Sequence, residues 1–102
     1  MIVQGTFILE PGSRDGFLTQ SVEQMRISRS EQGCQEYVLA ADPMQPDRVV
    51  LSERWESRAD LDEHVRALTL RREQAAERGD PPGIEPISRE ITIYEVSSSE
   101  TM

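Results

Sequence analysis

The sequence predicts an α+β chain in the order βαββαβ, and three observations carry that reading. Four short stretches rich in β-branched or aromatic residues, at 2–9, 34–41, 48–56 and 87–96, have the composition of strands. Two longer stretches, at about 13–31 and 57–78, set apolar residues at helical spacing. Only one connection, "DPMQPD" at 42–47, is short enough to be a hairpin, so each flanking helix must return the chain to the sheet. Together these describe a ferredoxin-like split βαβ pattern, with two helices on one face of an antiparallel sheet.

Each element has its own signals. "IVQGTFIL" forms the first strand, and "EPG" at 10–12 stops it. Ser13 is placed to cap the first helix, whose apolar stripe is Phe17, Leu18, Val22 and Met25, with Ile27 off it. Gly33 is expected to end that helix, because glycine takes the left-handed conformation without Cβ strain. "CQEYVLAA" and "RVVLSERWE" are the hairpin strands. Ser57 followed by Asp60 makes a capping box for the second helix, which carries Leu61, Val65 and Leu68 on one face. "GDPPGIEP" at 79–86 is a rigid loop that neither helix nor strand can enter. "ISREITIYEV" is the last strand, and "SSSETM" is a frayed tail of this single domain.

Strand alternation raises a packing question. Val49, Leu51 and Trp55 point one way from the third strand and Val50 the other, while Ile87, Ile91 and Ile93 oppose Tyr94 and Val96 on the last. Two helices cover one sheet face, so apolar residues on the other predict a partner, most simply a second copy in a homodimer.

Composition excludes several classes. With 36% hydrophobic and 29% charged residues, the 102-residue chain suits a globular domain rather than disorder. A net charge of −8 disfavours nucleic acid and anionic membranes as partners. No apolar run approaches the roughly 18 residues of a membrane span, and no signal-peptide pattern opens the chain, so a cytoplasmic location is expected. All 11 basic residues are Arg, with no Lys and no Asn, which points to a GC-rich bacterial coding sequence. One Cys and one His make a zinc site improbable, and dinucleotide and Walker motifs are absent, so neither metal nor cofactor is expected. Cys34 has no basic neighbour in sequence to activate it and suits a small strand residue.

The stretch 28–65 resembles the antibiotic biosynthesis monooxygenase (ABM) domain family. Its markers here are Arg29, Glu31, Gly33 and Cys34; Tyr37; Asp42 and Pro43; Glu53, Trp55 and Ser57; then Leu61, Asp62 and His64. The similarity extends from residue 2 to about residue 70, and beyond that by strand order. It implies a dimeric α+β barrel of two ferredoxin-like protomers. Family members include oxygenases of aromatic polyketides that use no metal, flavin or haem, others that degrade haem or act on quinols, and some of no known activity. Leu68-Thr69-Leu70 stands where many members carry a second His-aromatic pair. The chain also lacks the Asn of haem-degrading members, and His64 lies where those tend to have Trp, so haem chemistry is not expected.

On this reading His64 and Trp55 are the catalytic candidates. An oxygenase without a cofactor needs an electron-rich substrate, an apolar cavity and a base to form the reactive anion. His64 can exchange a proton near neutrality, and Trp55 offers a ring face and one N–H donor. Tyr37, Leu51, Glu53, Arg29 and Arg54 are the candidate substrate-binding residues, with Tyr37 a donor and Arg29 or Arg54 an oxyanion partner. Contact between Trp55 and His64 is expected if both project toward the open end of a barrel. Each also has a plainer reading: Trp55 as packing, His64 as a helix-border residue, Tyr37 as a half-buried strand residue, and the two arginines as surface ion pairs. The leading function is oxidation of an electron-rich aromatic or quinol. The alternatives are a non-catalytic small-ligand or regulatory dimer, and a cofactor-free isomerase or cyclase.

Overall fold

The computed structural model describes all 102 residues. Strand β1 (Ile2–Ile8), helix α1 (Arg14–Arg29), strands β2 (Cys34–Ala41) and β3 (Arg48–Trp55), helix α2 (Arg58–Glu77) and strand β4 (Ser88–Tyr94) follow in that order. They build one antiparallel sheet, β2-β3-β1-β4, which is the ferredoxin-like arrangement that the sequence predicts.

Register decides which residues meet. Val3 lies between Glu53 and Ile93, Gly5 between Leu51 and Ile91, and Phe7 between Val49 and Arg89. Tyr37 pairs with Glu53 on the other side. Because side chains alternate, these residues and Trp55 all share the helix-covered face. Gly5 is needed there: a Cβ would stand 2.9 Å from the Ile91 side chain and 3.0 Å from the Glu90 carbonyl oxygen. Val3, Phe7, Leu9, Phe17, Tyr37, Val49, Leu51, Trp55 and Leu61 form the core.

The helices depart from the sequence reading in informative ways. Ser13 stands at the N-cap of α1, but its hydroxyl makes no capping bond, and its backbone N–H turns back to the Glu10 carbonyl at 3.0 Å. Gly33 does not end the helix. Arg29 is the last helical residue, Ser30 is the C-cap, and Gly33 (φ +78°) makes the left-handed turn into β2. The Asp60 carboxylate occupies the space a Gly33 Cβ would need, so this turn is docked onto the start of α2. The buried line of α1 is Phe17, Ser21 and Ser28, with Val22 exposed. Steps of four and seven residues keep that line straight, whereas Val22 lies about 140° around from Phe17.

Helix α2 starts as expected: the Ser57 hydroxyl accepts from the Asp60 N–H at 3.1 Å. Its buried residues are Leu61 and His64, while Val65 is half exposed. His64 is therefore inside the protein and not on the border of an apolar stripe. No helix covers β4, every residue of which stays exposed, including Ile91 at 47% and Ile93 at 44%. The segment 80–86 has no regular structure and is strapped to α1 by Gln20. Its side chain donates to the Ile84 carbonyl and accepts from the Ile84 N–H, both at 2.9 Å.

Candidate active site

Four elements converge on one imidazole. His64 descends from the second turn of α2, between the Trp55 indole at the end of β3 and the Tyr37 phenol of β2. Ring centroids stand 4.7 Å from Trp55 at 33° and 5.3 Å from Tyr37 at 59°. The Trp55–His64 contact is made under α2, between helix and sheet. The docked Gly33 turn brings Glu31 beside the same ring, 33 positions away in sequence.

A carboxylate faces each ring nitrogen. His64 Nδ1 is 2.7 Å from Glu31 Oε1, and His64 Nε2 is 3.9 Å from Glu53 Oε1. A carboxylate accepts, so the first contact places the proton of the neutral imidazole on Nδ1 and leaves the Nε2 lone pair on the Glu53 side. The Trp55 indole N–H donates to Glu53 Oε1 at 2.9 Å, which holds that carboxylate in place. Trp55 is 1% exposed, His64 3% and Glu53 5%, so the group lies in the protein interior.

Burial sets the electrostatics. Loss of water pushes the Glu53 carboxyl upward, as does the nearby Glu31, against the lowering effects of the Trp55 N–H and of His64. The Tyr37 phenol is pushed up to about 12, first by burial and then by the Glu53 charge, with Gln24 and Ser28 acting the other way. Tyr37 therefore stays protonated through the neutral range and remains a hydrogen-bond donor. No three His, Cys, Asp or Glu side chains are grouped to hold a metal ion. The trio is a line of hydrogen bonds and charges.

A cavity of about 370 Å³ opens beside this group, within the roughly 300–1,000 Å³ of small-molecule sites. Glu53, His64 and Tyr37 form its inner end, and Phe7, Phe17 and Leu51 give it an apolar wall. Helix α1 adds Gln20, Ser21 and Gln24, and the uncovered Ile91 and Ile93 continue the wall on β4. Arg72, Arg89 and the strap residues Ile84 and Glu85 surround the outer end.

The structure thus brings together His64, Trp55, Tyr37, Leu51 and Glu53 from the sequence candidates. Trp55 lies one layer behind: it touches His64 and Glu53 and does not line the cavity. Arg29 and Arg54 are elsewhere, and neither makes the ion pair expected of it. Arg29 Nε donates to the Tyr37 carbonyl at 2.9 Å, tying α1 to β2 outside the cavity. Arg54 is exposed on the opposite sheet face, one residue out of phase with Glu53 and Trp55. Cys34 is partly buried, and burial together with Glu31 raises its thiol, which keeps it a poor nucleophile. Glu31, in the sequence a family marker and not a candidate site residue, is the group that the structure adds beside His64. Ser21 and Gln24 were hidden from sequence reasoning, since polar residues on a cavity wall break the apolar period used to find the inner face.

Residues 1–76 match the family model described as antibiotic biosynthesis monooxygenase. The chain belongs to the antibiotic biosynthesis monooxygenase family. The match spans the His64 group and every cavity residue up to Arg72, while the strap and β4 lie beyond it. Over its full length this ABM chain is 28% identical to a Synechocystis protein named Uncharacterized protein sll1783, of which it covers 67%. Among solved structures it is similar to an antibiotic biosynthesis monooxygenase-type protein of Deinococcus radiodurans. That likeness has a TM-score of 0.78 at 19% identity, over 99% of this chain and 96% of the other. It is also similar to Rv0793 of Mycobacterium tuberculosis, with a TM-score of 0.65 at 25% identity, over 96% and 97%. The Deinococcus likeness is one of fold.

Proposed function

We propose that this ABM-family chain is an oxygenase that uses no cofactor and oxidises an electron-rich phenol, hydroquinone or anthrone. The observation that carries the reading is the buried His64–Glu53 pair at the inner end of an apolar cavity, with Glu31 fixing the imidazole from behind. A proton acceptor in low dielectric next to a ring-sized space is what removal of a phenolic or benzylic proton requires. His64 Nε2 takes the proton, and Tyr37, kept neutral, donates to the oxygen that becomes negative. Trp55 acts as a positioning residue, because it holds Glu53 and packs against the His64 ring at a 33° tilt. The resulting carbanion or phenolate gives electrons directly to dioxygen. For an anthrone the methylene carbon gains one oxygen atom as a carbonyl, and its two hydrogens leave with the other oxygen atom as water.

We also infer that the chain works as a homodimer. The sheet face away from the helices carries Ile2, Ile8, Val38, Val50 and Tyr94 with no element over it, beside polar Gln4, Thr6, Ser52 and Thr92. A mixed face of that kind suits an interface, in which apolar side chains pack and polar ones supply hydrogen bonds.

Parallel aerobic and anaerobic incubations with anthrones and hydroquinones test the activity. The oxygenase reading expects product and oxygen uptake above the spontaneous rate in air, and neither without oxygen. Product formed under strict anaerobiosis would favour an isomerase or cyclase. Binding without any turnover would favour a ligand-binding protein.

A further inference from the structure

The cavity is electrically polarised along its length. Its inner end holds Glu53, with Glu31 behind the His64 ring, and both carboxylates are largely shielded from water. Its outer end holds Arg72, Arg89 and Glu85. Glu85 and Arg89 offset one another through a contact of 3.1 Å, so Arg72 is the charge left over at the rim. Nine of the 11 arginines donate to a carboxylate, an amide or a backbone carbonyl of the protein. Arg54 and Arg72 are the two that do not. Arg54 points away on the open sheet face, whereas Arg72 lines the cavity, near enough for its charge to bear on Tyr37. In a chain of net charge −8, a guanidinium left without a carboxylate at a cavity mouth is a recognition group in waiting.

From this juxtaposition we infer that the preferred ligand is a hydroxyaryl acid: an aromatic ring with an acidic O–H or C–H at one end and a carboxylate at the other. The acidic proton points inward to His64 and Glu53, and the carboxylate is held at the rim by Arg72. The reverse orientation puts a carboxylate against two buried acids and leaves the guanidinium unused, so the charge arrangement fixes the direction of entry as well as the class. The inference rests on the cavity being the substrate site, and it concerns binding alone.

Anaerobic calorimetric titration with phenol, and with 4-hydroxybenzoate, which is phenol bearing a carboxylate at the opposite end of the ring, separates the two readings because it needs no turnover. 4-Hydroxybenzoate is expected to bind about five- to tenfold tighter than phenol, as a charge-assisted contact at an exposed rim allows. That preference should shrink with added salt and vanish in Arg72→Gln, while Arg54→Gln keeps it. Equal affinity for the two ligands, or a preference that survives Arg72→Gln, overturns the inference. Loss of oxygen uptake with the preference intact would instead count against the oxygenase chemistry and leave this inference standing.

Discussion

At the scale of single residues, the site depends on where one proton sits. Glu31 Oε1 lies 2.7 Å from His64 Nδ1, so in the neutral ring Nδ1 carries the proton and Nε2 the lone pair. With only one His in the chain, nitrogen-15 NMR of the imidazole reads that tautomer without assignment work. The Nδ1–H tautomer of the neutral ring is expected, and a dominant Nε2–H tautomer would contradict the arrangement. Glu53 makes a second prediction. Its carboxyl is raised by burial above an ordinary value of 4.5, so its contribution to stability is full below that pH and is lost as pH rises through the folded value. Glu53→Gln keeps an oxygen for the Trp55 N–H but cannot ionise. Urea unfolding of both proteins from about pH 4 to about pH 8 should show the variant gaining on the wild type as pH rises. A constant difference would mean that Glu53 ionises in the folded protein as easily as in water. Of these residues, His64, Trp55, Tyr37 and Glu53 were legible as candidates by type and by family marker. The Glu31 contact was not, because it crosses from the turn after α1 to α2, and no local pattern encodes such a pairing.

At the scale of elements, the turn after α1 and the start of α2 act together. Gly33 lets the Asp60 region pack against it, Ser57 caps the helix, and His64 then falls two turns along, over Glu31. Ser57→Ala removes the cap and should cost about 1 kcal/mol of stability in thermal or urea unfolding. It should also loosen the His64 contact, seen as a shift of the single imidazole signal. Loss of stability within a few tenths of a kcal/mol of zero would show that tertiary packing, and not the cap, holds this end. Capping of α2 was readable because it is local chemistry at a fixed spacing. The inner face of α1 was not: Ser21 and Ser28 are satisfied by the Phe17 carbonyl and the Gln24 amide, so polar residues take positions that periodicity assigns to apolar ones. In β4 the alternation of Ile91 and Ile93 against Tyr94 is visible in the sequence, while its exposure depends on how far the helices reach.

At the scale of the whole molecule, strand order and antiparallel pairing followed from element sequence and connection length, which is why the ferredoxin-like fold was legible before any contact was known. Two features extend past the single chain. The open sheet face lacks a cover, and β4 leaves Ile91 and Ile93 exposed beside the cavity. Light scattering at micromolar concentration is expected to give about twice the 11.6 kDa chain mass, and a stable species at the chain mass would rule the homodimer out. In the proposed function His64 is the base of an oxygen-dependent reaction inside the cavity. Oxygen uptake with an anthrone, compared between wild type and His64→Gln after circular dichroism shows both folded, tests it most directly. The wild type should exceed the spontaneous rate, and the variant should lose roughly 10²- to 10⁴-fold of that excess. Uptake no faster than the spontaneous rate, or an undiminished rate in His64→Gln, would contradict it.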